Sequence, residues 1–250
     1  MRRVVRVALS HNTLSELNHM QTTANDKQLA GTLSVHDEWR SARQKRTIKT
    51  VLAALKRMAG KRERCMYCLD SHGTDIEHFW PKKHYPERMY QWPNLLLCCT
   101  ECGRFKGDLF PLLEGKPLLI DPTDEEPWQF LDFDPLTGNI VARYDPHSNN
   151  WSAKGLKTVK ILQLDHREAL AVGYKRTFRK LSSLVIKFLD NMTSDVSSFT
   201  LSLLDADEHG LLGWCFSGTG QYVEPFKIIR ENHPEVWRKC WDVISHNRGY

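Results

Sequence analysis

The chain has 250 residues, 41% of them apolar and 26% charged, which suits a globular protein with a buried core. It lacks a run of about 18 apolar residues, so a membrane-spanning helix is not expected. The basic start, Met1-Arg2-Arg3-Val4, lacks the apolar stretch of a secretory signal. A reducing cytoplasm is therefore expected, where seven cysteines read as metal ligands or buried thiols rather than disulfides. The net charge of +5 is unevenly spread. Arg40 to Arg64 holds ten Lys or Arg and one acid, whereas Glu114 to Asp134 holds seven acids and one base. The first stretch suits a polyanion and the second repels one; a solvated surface is the plainer explanation of both.

In chain order, Thr13-Leu14-Ser15-Glu16 fits a capping box and predicts a helix to about Asn25. A second helix is predicted from about His36 to Ala59, with Ile48, Val51, Leu52, Leu55 and Met58 on one face and Gly60 as its stop. Short, cysteine-rich pieces follow. They read as a turn at Cys65–Cys68, a strand near Thr74–Phe79, a loop through Lys82–Gln91, a strand at Leu95–Cys98 and a helix from Thr100. Leu118–Ile120 reads as a further strand, and Gln129–Phe133 with Ile140–Tyr144 as a hairpin. Asp165 with Glu168 resembles an N-cap and its partner, opening a helix striped by Leu170, Tyr174, Phe178, Leu181, Val185 and Phe188. A last helix from Pro234 carries Val236, Trp237, Cys240, Trp241 and Ile244. The expected class is α+β, divided into a helical segment (1–61), a ββα core on a zinc knuckle (62–112) and a hairpin-plus-helix region (113–250).

Two Cys-x-x-Cys turns, Cys65–Cys68 and Cys99–Cys102, can place four thiolates tetrahedrally around Zn²⁺. Such a closed site is structural and would stabilise a segment with little core of its own. Cys98, Cys215 and Cys240 are expected to be core thiols. Between the pairs lie Asp75, Glu77 and His78, then Asn94 before Leu95-Leu96-Leu97. A carboxylate, an imidazole and an amide in this bracket suit phosphodiester hydrolysis, with Asn94 able to hold a loop across from the histidine. Lys82, Lys83, Arg104 and Lys106 are candidate phosphate contacts.

Glu77-His78 with Pro81, Asn94-Leu95, and Cys99-x-x-Cys102 followed by Lys106 resemble the HNH endonucleases and their ββα-metal fold. The longer runs Ile76–Lys82, Trp92–Leu97, Cys102–Asp108 and Leu118–Pro122 look like the PtuB group of that family, from Septu and retron antiphage systems. The resemblance covers about Cys65 to Leu181. It implies His78 as general base, Asn94 as the residue orienting its loop, and Mg²⁺ or a similar ion on Glu77 with Asp75 nearby. One departure is Gly103, where relatives carry His or Asn on the catalytic metal. Asp108 or His84 would then complete the site, or the ion is loosely held, or this copy is catalytically weak. The implied partners are nucleic acid (DNA favoured, RNA such as tRNA next) and an ABC-type ATPase, PtuA. In a retron setting a reverse transcriptase and its DNA–RNA product would join. The rival is a non-catalytic zinc module that binds nucleic acid or protein.

Overall fold

The computed structural model describes residues 1–191 and 195–246. Helix α1 (His11–Leu29) starts at Ser10, whose hydroxyl accepts from the Thr13 amide. This moves the cap three residues back from the expected Thr13 box, because Ser10 is the residue with extended backbone (φ −62°, ψ 150°). Glu16, expected to close that box, instead accepts from the Thr47 hydroxyl of a later helix.

The predicted helix from His36 to Ala59 is two helices, α2 (Val35–Ala42) and α3 (Arg46–Ala59). The apolar face explains the break. Trp39 and Ala42 are buried, but the next buried aliphatic is Ile48, out of phase with a continuous helix, and Lys45 turns extended between them. Gly60, at φ +84°, ends α3 as expected.

Strands β1 (Asp75–His78) and β2 (Leu95–Cys98) pair antiparallel, Asp75 opposite Cys98 and His78 opposite Leu95. Helix α4 (Thr100–Lys106) follows at once. Strands β3 (Leu112–Leu113) and β4 (Lys116–Pro117) then form a short hairpin. The strand expected at Leu118–Ile120 does not form. Pairing stops at Pro117, Leu118 donates to the Pro111 carbonyl, and the Ile120 amide donates to the Thr158 hydroxyl at 3.0 Å. The expected hairpin is present as β5 (Leu131–Phe133) and β6 (Ile140–Ala142). Gln129 belongs to a 3₁₀ turn before it, and Tyr144 to the separate pair β7 (Tyr144–Asp145) and β8 (Asn150–Trp151).

Helices α5 (Ala153–Leu162) and α6 (Glu168–Asp190) come next. Asp165 does not cap α6; Arg167 occupies the cap position, and the Asp165 carboxylate bonds the His166 ring at 2.7 Å. The α6 stripe is buried as predicted, except that Phe178 is only partly covered. Helices α7 (Val196–Ala206), α8 (Leu211–Ser217), α9 (Phe226–Asn232) and α10 (Pro234–His246) complete an α+β fold with small two-stranded sheets. One apolar cluster runs from Met1 and Val4 through the cysteine-rich segment to Cys240 and Ile244. Among the described residues no helix is long and apolar enough to cross a membrane.

Candidate metal centre and active site

The turn carrying Cys65 and Cys68 is pinned to β2 by the Met66 amide, which donates to the Leu97 carbonyl at 2.9 Å. Cys99 and Cys102 lie at the start of α4, where the Cys102 amide points at the Cys99 sulfur at 3.4 Å. The four sulfurs are buried and lie within 4.8 Å of one another. Cys68 Sγ and Cys99 Sγ are 3.9 Å apart. A zinc tetrahedron with bonds of 2.3 Å has an edge of about 3.8 Å, so this donor set could hold zinc. Arg167 Nη1 donates to Cys102 Sγ at 3.3 Å, pairs with Glu101 and lies 5.7 Å from the centre of the Phe105 ring. It would offset part of the charge of four metal-bound thiolates from outside the cluster. The Tyr174 hydroxyl, from α6, donates to the Cys68 carbonyl at 3.1 Å. Cys98 stands outside the four, buried, with its thiol donating to the Cys99 carbonyl at 3.3 Å.

His78 is at the end of β1, and its side chain is 2% exposed. Its Nε2 lies 3.0 Å from the Met89 carbonyl. A carbonyl can only accept, so Nε2 carries the proton and Nδ1 is the basic nitrogen. The ring packs edge-on against Trp39 with centroids 4.4 Å apart. Burial, reinforced by the Lys82 charge, holds this imidazole well below the ordinary histidine value, so it is neutral.

Asn94 is buried and ties the two sides of the loop together. Its Oδ1 accepts from the Trp80 amide at 2.7 Å, and Nδ2 donates to the carbonyls of Trp80 (3.1 Å) and Arg88 (2.9 Å). The residues just beyond His78 are thereby fixed to the residue preceding Met89. Arg6 secures the other side of the turn by donating to the carbonyls of Trp92 and Leu95 at 2.9 and 3.0 Å.

Glu77, 17% exposed, does not face an open ligand position. Lys106, expected as a phosphate contact, is 0% exposed and turns inward. Its Nζ lies 2.8 Å from Glu77 Oε1 and 2.8 Å from the His78 carbonyl. An ammonium this buried must find oxygen partners, and these are the ones in reach. Burial raises the Glu77 carboxyl above its ordinary value, against the opposing pull of Lys106.

The other expected ligands are dispersed. Asp75 is 48% exposed and paired with Arg43 at 2.8 Å, on the far end of β1. Asp108 pairs with Lys83 at 3.4 Å. Gly103 supplies no donor, and His84 is exposed. Among the described residues the only cluster of three or more metal-binding side chains is the four cysteines. The donors expected for a catalytic Mg²⁺ therefore do not assemble into a site that fits it. Lys82 is half-buried with Nζ 6.0 Å from the Trp39 ring centre, while Arg104 is exposed.

The basic stretch Arg40–Arg64 is also more divided than its composition suggests. Lys56 pairs with Glu63 and Arg62 with Glu208. Arg57, Lys61 and Arg64 line a cavity of about 880 Å³ together with Leu69, Leu201 and Leu204.

Several contributors were not evident from the sequence. Trp39, the Met89 carbonyl, Arg6 and Arg167 act through contacts between distant segments. The one local hint was for Trp39, the single aromatic residue in a helix rich in polar side chains.

No protein-family model matches the chain. It is similar to the Septu protein PtuB of Bacillus thuringiensis, 26% identical over 145 residues, 56% of this chain and 50% of that protein. It is also similar to protein ea31 of Escherichia phage lambda, 29% identical over 122 residues, 44% of this chain and 41% of that protein. The chain thus spans half or less of the length of these curated relatives. The chain is thus an α+β protein with four buried cysteines that could hold zinc, and part of it is distantly similar to a Septu protein.

Proposed function

We propose that the chain is an HNH-type endonuclease with a ββα-metal core, built from β1, β2 and α4, that serves as effector in an antiphage complex. The observation that carries this reading is the His78–Met89 hydrogen bond, fixed by Asn94. It supplies a neutral imidazole with its basic nitrogen defined, held by a clamp across the loop. In the proposed step Nδ1 of His78 takes a proton from the water that attacks phosphorus. Lys82, Lys83 and Arg104 meet the phosphate charge. Cys65, Cys68, Cys99 and Cys102 would hold a zinc ion in a closed structural site that leaves the reaction to other residues. A divalent ion would supply charge neutralisation at the phosphate, but here Glu77 is already paired. DNA is the favoured substrate, with RNA second. The likeness to PtuB supports an ABC-type ATPase partner; a retron reverse transcriptase with its DNA–RNA product belongs to the retron form of such systems.

A second reading, a non-catalytic zinc module, is favoured by the burial of His78 and by Gly103. Purified chain, alone and with its ATPase partner, incubated with DNA and RNA, separates the two. Loss of cleavage in a folded His78→Ala variant supports the nuclease. Antiphage protection that survives His78→Ala but not Cys65→Ser supports the module.

A further inference from the structure

We infer that the ammonium of Lys106 is the resident cation of the Glu77 site, standing where a divalent ion would otherwise bind. Three oxygens surround its Nζ: Glu77 Oε1 at 2.8 Å, the His78 carbonyl at 2.8 Å and the Gly107 carbonyl at 3.4 Å. One is anionic and two are carbonyls, the donor types that hard cations take from proteins. The nitrogen is sealed from solvent, so this cage and not water solvates the charge.

The local chain is shaped to deliver it. Lys106 is the last residue of α4, and Gly107 at φ +46° turns the chain there. Gly103, three residues earlier and so on the same side of the helix, has no side chain. A Cβ placed there would lie 3.7 Å from Glu77 Oε2, within reach of the carboxylate for any longer side chain. With glycine at 103, α4 meets Glu77 through Lys106. A divalent ion on Glu77 would sit against this ammonium, and like charges at that separation exclude one another. The inference concerns which cation fills the cage, so it stands or falls separately from whether the chain cuts nucleic acid.

The test is Mn²⁺ binding to the full-length, zinc-loaded chain without nucleic acid, read by electron paramagnetic resonance and calorimetry. Wild type is expected to bind Mn²⁺ no more tightly than Glu77→Gln. Lys106→Ala, with zinc content and circular dichroism retained, is expected to bind Mn²⁺ at least tenfold more tightly. Adding Glu77→Gln should remove that gain. Wild-type binding that Glu77→Gln weakens would overturn the inference, and this comparison needs no Lys106 variant. A folded Lys106→Ala chain with no gain would overturn it equally.

Discussion

Asn94 is placed so that its loss should be felt in both stability and chemistry. Replacing it with alanine strands the Trp80 amide and the carbonyls of Trp80 and Arg88, which should cost about 2–4 kcal/mol in urea unfolding. Cleavage should fall along with it, although His78 is intact. His78 and His209 are both held below the ordinary histidine value, chiefly by burial. Each is neutral in the folded chain and free to take a proton once unfolded. The unfolded chain thus binds more protons below about pH 6.5, and stability falls as pH drops through that value. The slope should approach about 1.4 kcal/mol per pH unit for His78 and be shallower for His209, where Asp70 opposes the effect of burial. His209, whose ring meets Thr177 at 2.7 Å, offers the cleaner check: His209→Gln should flatten the slope measured between pH 7.5 and 5.5. His78 and Asn94 stand out in the sequence because few residue types perform their chemistry. Lys106 could not be placed, since a lysine on a short polar helix reads as exposed. Its burial follows from Glu77 requiring a partner and Gly103 leaving the space.

Elements whose boundaries are set by local backbone chemistry were legible: β2, the start of α4, Gly60 after α3 and Pro234 opening α10. Those settled by distant packing were not. The α2–α3 break comes from two apolar faces docking on different neighbours, and Leu119 and Ile120 are buried without an adjacent strand to pair with. The β5–β6 hairpin shows how closely its neighbours approach. Gly138, at φ +85°, would place a Cβ 2.3 Å from the Ala171 carbonyl of α6. Gly138→Ala should therefore destabilise by about 1–3 kcal/mol, read as a lowered thermal midpoint, and lift the hairpin from α6. A zinc ion on the four cysteines would brace the thiol turns in a similar way. Chelation, or Cys65→Ser, should release one zinc per chain and unfold the segment around β1, β2 and α4, seen as lost amide protection there.

Taken as one body, the chain closes its thiolate cluster with residues far along the sequence. Arg167 and Tyr174 both come from the region opening α6, and both touch the cysteine turns. Arg167→Ala should weaken zinc retention about 10–100-fold in chelator competition while leaving the four ligands in place. The Cys68 carbonyl and the Tyr174 hydroxyl that covers it are 106 residues apart. On a ribosome adding roughly 5–20 residues per second, that separation leaves the nascent Cys65–Cys68 turn uncapped for about 5–20 s. During that interval the sulfurs meet whatever ions and oxidants surround the emerging chain. A metal ion taken up in that interval would be held without the Tyr174 contact, so a pause before codon 174 should lengthen the exposure of this turn.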